Sequence, residues 1–150
     1  MGIIEKRLKE LGLDLPEPKP PVGNYLGCKT MGKFLYASGR VSDLFGEVGT
    51  EVTEDQAKEA ARDTVLVILS IIKKDIIDLD QIDGVLKVTG FIRSSPGFTR
   101  QPKVVDGASD LLIELFGENG RHARTATGVA QLPFGASVQL DIIFYLKNYD

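Results

Sequence analysis

Near the C-terminal end of the chain, His122-Ala123-Arg124-Thr125 leads through Gln131-Leu132-Pro133-Phe134-Gly135 into Val138-Gln139-Leu140-Asp141-Ile142. One permanently charged arginine thus opens a strand-like run, a turn follows, and the returning strand carries polar groups at alternate positions. An isolated arginine is most often a solvated surface residue. A planar guanidinium nevertheless matches a carboxylate with two parallel hydrogen bonds, each charge-assisted bond contributing about 1.5–3 kcal/mol. The residue types therefore fit a carboxylate-binding site.

Other chemistries find little support. Cys28 is the only cysteine and His122 the only histidine, so neither an intramolecular disulfide nor a thiolate zinc site can be built. Cys28 has no neighbouring pattern for nucleophilic catalysis and reads as a small core residue. The glycines between Gly46 and Gly49 do not match a phosphate loop. Cleavage of RNA needs an acid and a base on two oxygens, and His122 has no second imidazole to work with.

The elements that must position Arg124 come from a chain of 150 residues with 43% hydrophobic content and a net charge of -3. These values fit a single domain spanning 1–150, with residues 1–21 as an N-terminal helix and arm and 22–150 as the core. The charge leaves no footprint for nucleic acid, and the scattered Lys and Arg form no stripe. No apolar run is long enough to span a membrane. The N-terminus has neither an apolar leader nor a Ser or Thr at position 6 for myristoylation. A cytoplasmic location is expected, with no membrane or nucleic-acid partner and no cofactor.

Ile3, Ile4, Leu8 and Leu11 lie at helical spacing ahead of Gly12, which predicts a short amphipathic helix. Pro16-Glu17-Pro18-Lys19-Pro20-Pro21 cannot be helical and reads as an extended tether. Residues 24–30 and 33–38 read as a hairpin turning at Met31-Gly32. Residues 42–50 read as irregular. Thr53-Glu54-Asp55-Gln56 matches a capping box and opens a long helix whose stripe is Val65, Ile68, Leu69 and Ile72, ending near Lys73-Lys74. A strand over 82–93, a helix over 104–116 and strands over 125–132 and 138–146 complete a β-β-α-β-α-β-β order. Both long helices must bury their stripes on one face of a mixed sheet. The opposite face then lacks a cover, which favours self-association.

In order along the chain, Asn24-Tyr25, Tyr36-Ala37-Ser38-Gly39, the helix over 56–74, Val88-Thr89-Gly90-Phe91-Ile92, Ala123-Arg124-Thr125 and Gln131-Leu132-Pro133 resemble the RidA family, also called YjgF-like or reactive-intermediate deaminases. The N-terminal helix, the proline arm and Val105-Asp106-Gly107-Ala108-Ser109 resemble a divergent branch often labelled endoribonucleases. The resemblance implies a chorismate-mutase-like α+β fold and a homotrimer with small-molecule clefts between subunits.

It also implies roles. Arg124 would grip the carboxylate with help from the Ala126 backbone N–H. Tyr25, Ser38 and Gly39 would line the cleft. Gln139 stands where deaminating relatives carry a glutamate that handles water; an amide can orient water but cannot take its proton near neutral pH. Asp141, two residues on and about 6.6 Å away, would not reach the same water. Asp106 stands where an asparagine is common, and three readings stay open for it: substitute acid or base, binder of a cationic group, or dipole-favoured helix-start residue. The implied activity is hydrolysis of an enamine or imine to a 2-oxo acid and ammonia, with Arg124 and Gln139 as its catalytic residues. A non-catalytic metabolite-binding or regulatory protein using the same cleft is the alternative, and an endoribonuclease the third reading.

Overall fold

The computed structural model describes residues 2–76 and 78–147. Its elements are α1 (Ile3–Glu10), β1 (Cys28–Met31), β2 (Phe34–Val41), α2 (Glu54–Ile76), β3 (Ile82–Arg93), α3 (Gln101–Phe116), β4 (Ala123–Val129) and β5 (Val138–Leu146). One sheet runs β1-β2-β5-β3-β4, with β3 and β4 parallel and every other pair antiparallel. This is the mixed α+β layout that the resemblance implied.

Local chemistry explains most boundaries. At the start of α2 the Thr53 hydroxyl accepts from the Gln56 N–H at 3.1 Å, and the Gln56 amide oxygen accepts from the Thr53 N–H at 2.9 Å, a reciprocal capping box. Gly32 takes φ 58° in the β1–β2 turn, as a tight hairpin requires. The hairpin's first strand is shorter than the sequence pattern predicts, because residues 24–27 run as loop ahead of Cys28. Helix α3 begins three residues earlier than its apolar stripe suggests, with Pro102 in its first turn, where a missing N–H costs nothing. Asp106 is consequently in the second turn, beyond the reach of the helix-end dipole, which removes the helix-start reading for that residue.

Alternation along β5 separates the two sides of the sheet. Val138, Leu140, Ile142, Phe144 and Leu146 are buried beneath α2 and α3. Phe144 meets Phe116 of α3 edge to face, with centroids 6.3 Å apart. Gln139, Asp141, Ile143 and Tyr145 point to the other side, which no helix among the described residues covers. Helix α1 does not serve there: it lies against α3 and the turn at Leu79–Gln81, burying Ile4 and Leu8. Phe34, Tyr36 and Leu86 stay exposed, an apolar surface of the kind that marks an interface.

Asp80 anchors α1 by accepting from the Ile3 N–H at 2.8 Å and the Ile4 N–H at 3.1 Å. Burial works to raise the pKa of this carboxyl, but the two N–H donations and nearby positive charge outweigh it and hold the group below its ordinary value of 3.8. A depressed carboxylate adds stability that is present above the ordinary pKa and is lost as pH falls through the folded one. Asp80→Ala should therefore cost about 1 kcal/mol at pH 7, the usual weight of an N-cap. Thermal unfolding should show a melting point lower by about 2–4 °C, with the gap to wild type closing as the pH falls below 3.8.

Candidate functional site

The structure sorts the expected site residues into two groups at opposite edges of the sheet. The first lies where β1 ends and β2 becomes an edge strand. A cavity of about 260 Å³ opens there, lined by Tyr25, Gly39, Phe45, Phe134 and Gln139, with Arg40 at its wall. The pairing of β2 with β5 shifts register between Ala37 and Arg40, an irregularity that re-aims the strand at its edge. A Cβ at position 39 would stand 3.3 Å from the Gln139 amide nitrogen, a tight contact that would press on that side chain.

Tyr25 reaches this cavity because its loop is tied down. Ser38 donates its N–H to the Gly27 carbonyl at 2.9 Å and its hydroxyl to the Leu26 carbonyl at 2.5 Å. Ser38 therefore holds the loop that carries Tyr25, and its own hydroxyl is already committed. On the opposite wall Phe134 adopts φ 61°, a left-handed conformation that costs a bulky residue on the order of 1–3 kcal/mol. Arg93 donates to the Gly135 carbonyl at 3.1 Å, and Phe45 bridges Ala136, so neighbouring contacts hold that turn. Phe45, Phe134 and Arg40 had no motif to reveal them. The Arg40 guanidinium has no hydrogen-bond or ion-pair partner among the described residues.

The second group surrounds Arg124 on β4, the other edge strand. Arg124 pairs in register with buried Val88, and Ala126 with Gly90, so both point to the helix side. Arg124 Nη1 donates to Asp106 Oδ1 at 2.7 Å and to Ser109 Oγ at 3.1 Å, and Nη2 donates to the Pro102 carbonyl at 3.2 Å. These acceptors all belong to α3. The helix comes close enough because Gly107 packs on α2: a Cβ there would lie 2.0 Å from the Lys58 carbonyl oxygen. Ser109 Oγ also meets His122 Nε2 at 2.8 Å, and His122 Nδ1 meets the Gly120 carbonyl at 2.7 Å.

Arg124 and Asp106, expected as two ligand contacts, are thus an ion pair within the chain. The pair does not exhaust the guanidinium. Nη1 is fully used, whereas Nε–H and one Nη2 hydrogen have no partner among the described residues, and the side chain is 24% exposed. Those two donors can still meet a carboxylate. Ser109 is the neighbour that the sequence pattern did not single out; its spacing of three from Asp106 on one helix face was the available signal.

Gln139 pairs with Phe91, which pairs in turn with Thr127, all on the helix-free side. Arg124 therefore faces away from Gln139. Gln139 lies on β5, and two strand spacings, about 10 Å, also separate β5 from β4. No single copy of the chain can bring Arg124 and Gln139 to one small ligand. Asp141 shares the side of Gln139; burial raises its pKa, with Lys87 and a Thr89 hydrogen bond opposing. Buried Cys28 donates to Asp75 at 3.3 Å, and burial together with that carboxylate pushes its thiol up to about 12, which leaves it a poor nucleophile.

Among the described residues no cluster of His, Cys, Asp and Glu could hold a metal ion, and no helix is long and apolar enough to cross a membrane. Residues 5–146 match the family model described as YjgF/chorismate mutase-like, putative endoribonuclease. Protein TCP17 of Trypanosoma cruzi is 40% identical over 154 residues, covering 98% of this chain and 96% of that protein. The crystal structure of Atu1372 from Agrobacterium tumefaciens, a protein described as of unknown function, superposes with a TM-score of 0.89 at 40% identity, covering 97% of this chain and 93% of that one. A structure from Shewanella oneidensis MR-1, named a putative endoribonuclease, gives a TM-score of 0.91 at 30% identity over 95% and 99% of the two chains.

Proposed function

Since the chain belongs to the YjgF/chorismate-mutase-like family, we propose that it forms a homotrimer and binds a small 2-imino or 2-oxo carboxylate in clefts between copies. The reaction is hydrolysis of the imine to a 2-oxo acid and ammonia. The carrying observation is the division of the site. A cavity with Tyr25, Gly39 and Gln139 lies at one edge of the sheet, and an arginine with two spare donors lies at the other edge on the opposite face. Association of copies unites the two halves, and burial of the exposed apolar surface on the helix-free side favours it.

In that cleft Arg124 of one copy holds the carboxylate, while Tyr25 and the Gly39 backbone of the next shape the pocket. Gln139 accepts a hydrogen bond from water and orients its oxygen toward the imine carbon. The water oxygen bonds to that carbon, the C–N bond breaks, and the nitrogen leaves as ammonium after gaining protons from the water. Gln139 takes no proton. A protonated imine is already electrophilic, so positioning supplies a modest acceleration. Asp106 is the carboxylate held beside the clamp by its bond to Arg124.

The test follows decay of 2-iminopropanoate, generated in situ by a dehydratase, with and without the protein. Faster decay supports the deaminase. Unchanged decay together with calorimetric binding of pyruvate sinks it and leaves the second reading, a non-catalytic metabolite sensor, which the amide at Gln139 favours. Sedimentation should give three chains per particle; a monomer at working concentration would rule out the divided site.

A further inference from the structure

We propose that His122 and Ser109 are positioning residues that lock the Arg124 guanidinium so that its Nε–H and spare Nη2–H face the ligand. This rests on Arg124 being the carboxylate clamp. It adds a directed hydrogen-bond chain to that clamp, anchored on an atom whose role cannot change.

The anchor is the Gly120 carbonyl, which can only accept. At 2.7 Å from it, His122 Nδ1 must carry the proton. In the neutral ring Nε2 is then a lone pair, so Ser109, 2.8 Å away, donates its O–H to Nε2. That choice turns the lone pairs of the Ser109 oxygen toward Arg124 Nη1 at 3.1 Å. Every link therefore runs one way, from Arg124 to Ser109 to His122 to the backbone.

The chain matters because the ion pair alone is a loose hinge. Asp106 engages Arg124 through one nitrogen and one oxygen, a contact about which the guanidinium can turn. Ser109 takes the second Nη1 hydrogen and the Pro102 carbonyl takes one from Nη2, so three acceptors on α3 define the plane of the fork. Without the His122 acceptor, the Ser109 hydroxyl can turn to a carbonyl one turn back on its own helix, the usual alternative for a helical serine. Its lone pairs then leave Nη1. Ser109 is 7% exposed and sits beneath the arginine, which fits a support rather than a group that touches substrate. His122 and Arg124 lie two residues apart along the chain as β4 begins, which brings support and clamp to the same side.

Calorimetric titration of the whole protein with pyruvate separates the possibilities. In His122→Gln the amide oxygen can reach the position of Nε2 and accept from Ser109; in His122→Asn the shorter amide can keep the Gly120 bond but leaves Ser109 without its acceptor. Ser109→Ala and His122→Asn should weaken pyruvate binding about tenfold, and His122→Gln should recover most of that loss at an unchanged melting temperature. Equal weakening in the Gln and Asn variants with parallel drops in melting temperature would mean a merely structural role and overturn the proposal. Wild-type affinity in Ser109→Ala, a change that removes one oxygen and decides the matter if an imidazole variant fails to fold, would also overturn it. Arg124→Ala is the control: if it binds pyruvate as tightly as wild type, the carboxylate clamp itself is wrong.

Discussion

Arg124→Ala should weaken pyruvate binding about 100-fold and abolish any acceleration of 2-iminopropanoate hydrolysis. The size follows from losing two charge-assisted hydrogen bonds to a carboxylate, together on the order of 3 kcal/mol. Arg124→Lys should recover charge but not the planar fork, and should stay about tenfold weak. The truncation also leaves Asp106 without its counter-ion, but that pair is 24% and 34% exposed, so its own contribution to stability is about 1 kcal/mol or less. A variant that melts within a few degrees of wild type yet fails to bind pyruvate places Arg124 at the ligand. A variant that keeps its affinity makes Arg124 a purely structural partner of α3.

Gln139→Glu should raise the rate of imine hydrolysis at least tenfold, because a carboxylate can take the proton of the attacking water and an amide cannot. General bases contribute roughly 10²–10⁴-fold when well placed, and the half-buried setting of Gln139 leaves room for an isosteric acid. The added rate should appear as pH rises through the range where the new carboxyl ionises. Asp106→Asn should act in the opposite sense on turnover. It should bind pyruvate more tightly, since a ligand carboxylate would no longer share one guanidinium with a second anion, yet hydrolyse imine more slowly if Asp106 accepts the proton. Paired measurements of affinity and single-turnover rate on both variants would show it. An unchanged rate in Gln139→Glu, beside intact pyruvate binding, would favour the sensor over the enzyme.

The elements were legible where local chemistry dominates. The Thr53–Gln56 capping box, the apolar stripe of α2 and the glycine of the first hairpin are decided by neighbours within a few residues, and the structure places each as expected. Strand β3 spans Ile82–Arg93, as its run of β-branched residues predicts. The early start of α3 was not legible: Pro102 reads as a breaker until a helix is known to begin beside it.

Site residues divide along the same line. Arg124 could be read as carboxylate-binding chemistry from its residue type, the roles of Tyr25, Gly39 and Gln139 came from the family resemblance, and these last three share one cavity. Period-two alternation puts Arg124 with Ala126, and Gln139 with Asp141, but it does not say which side of the sheet either pair faces. That was decided by which strands pair and by where α3 lands, since Gly107 lets the helix close on α2 and brings Asp106 and Ser109 over Arg124. These contacts join residues 15 to 18 positions apart through packing of helix on sheet, and no local pattern encodes such packing. The sequence by itself determined an arginine suited to a carboxylate and an amide where a base would serve. Only the tertiary structure decided that the two face opposite ways, the arginine on an edge strand and the amide on the central one, because strand order and helix docking come from long-range burial rather than from the propensities of neighbouring residues.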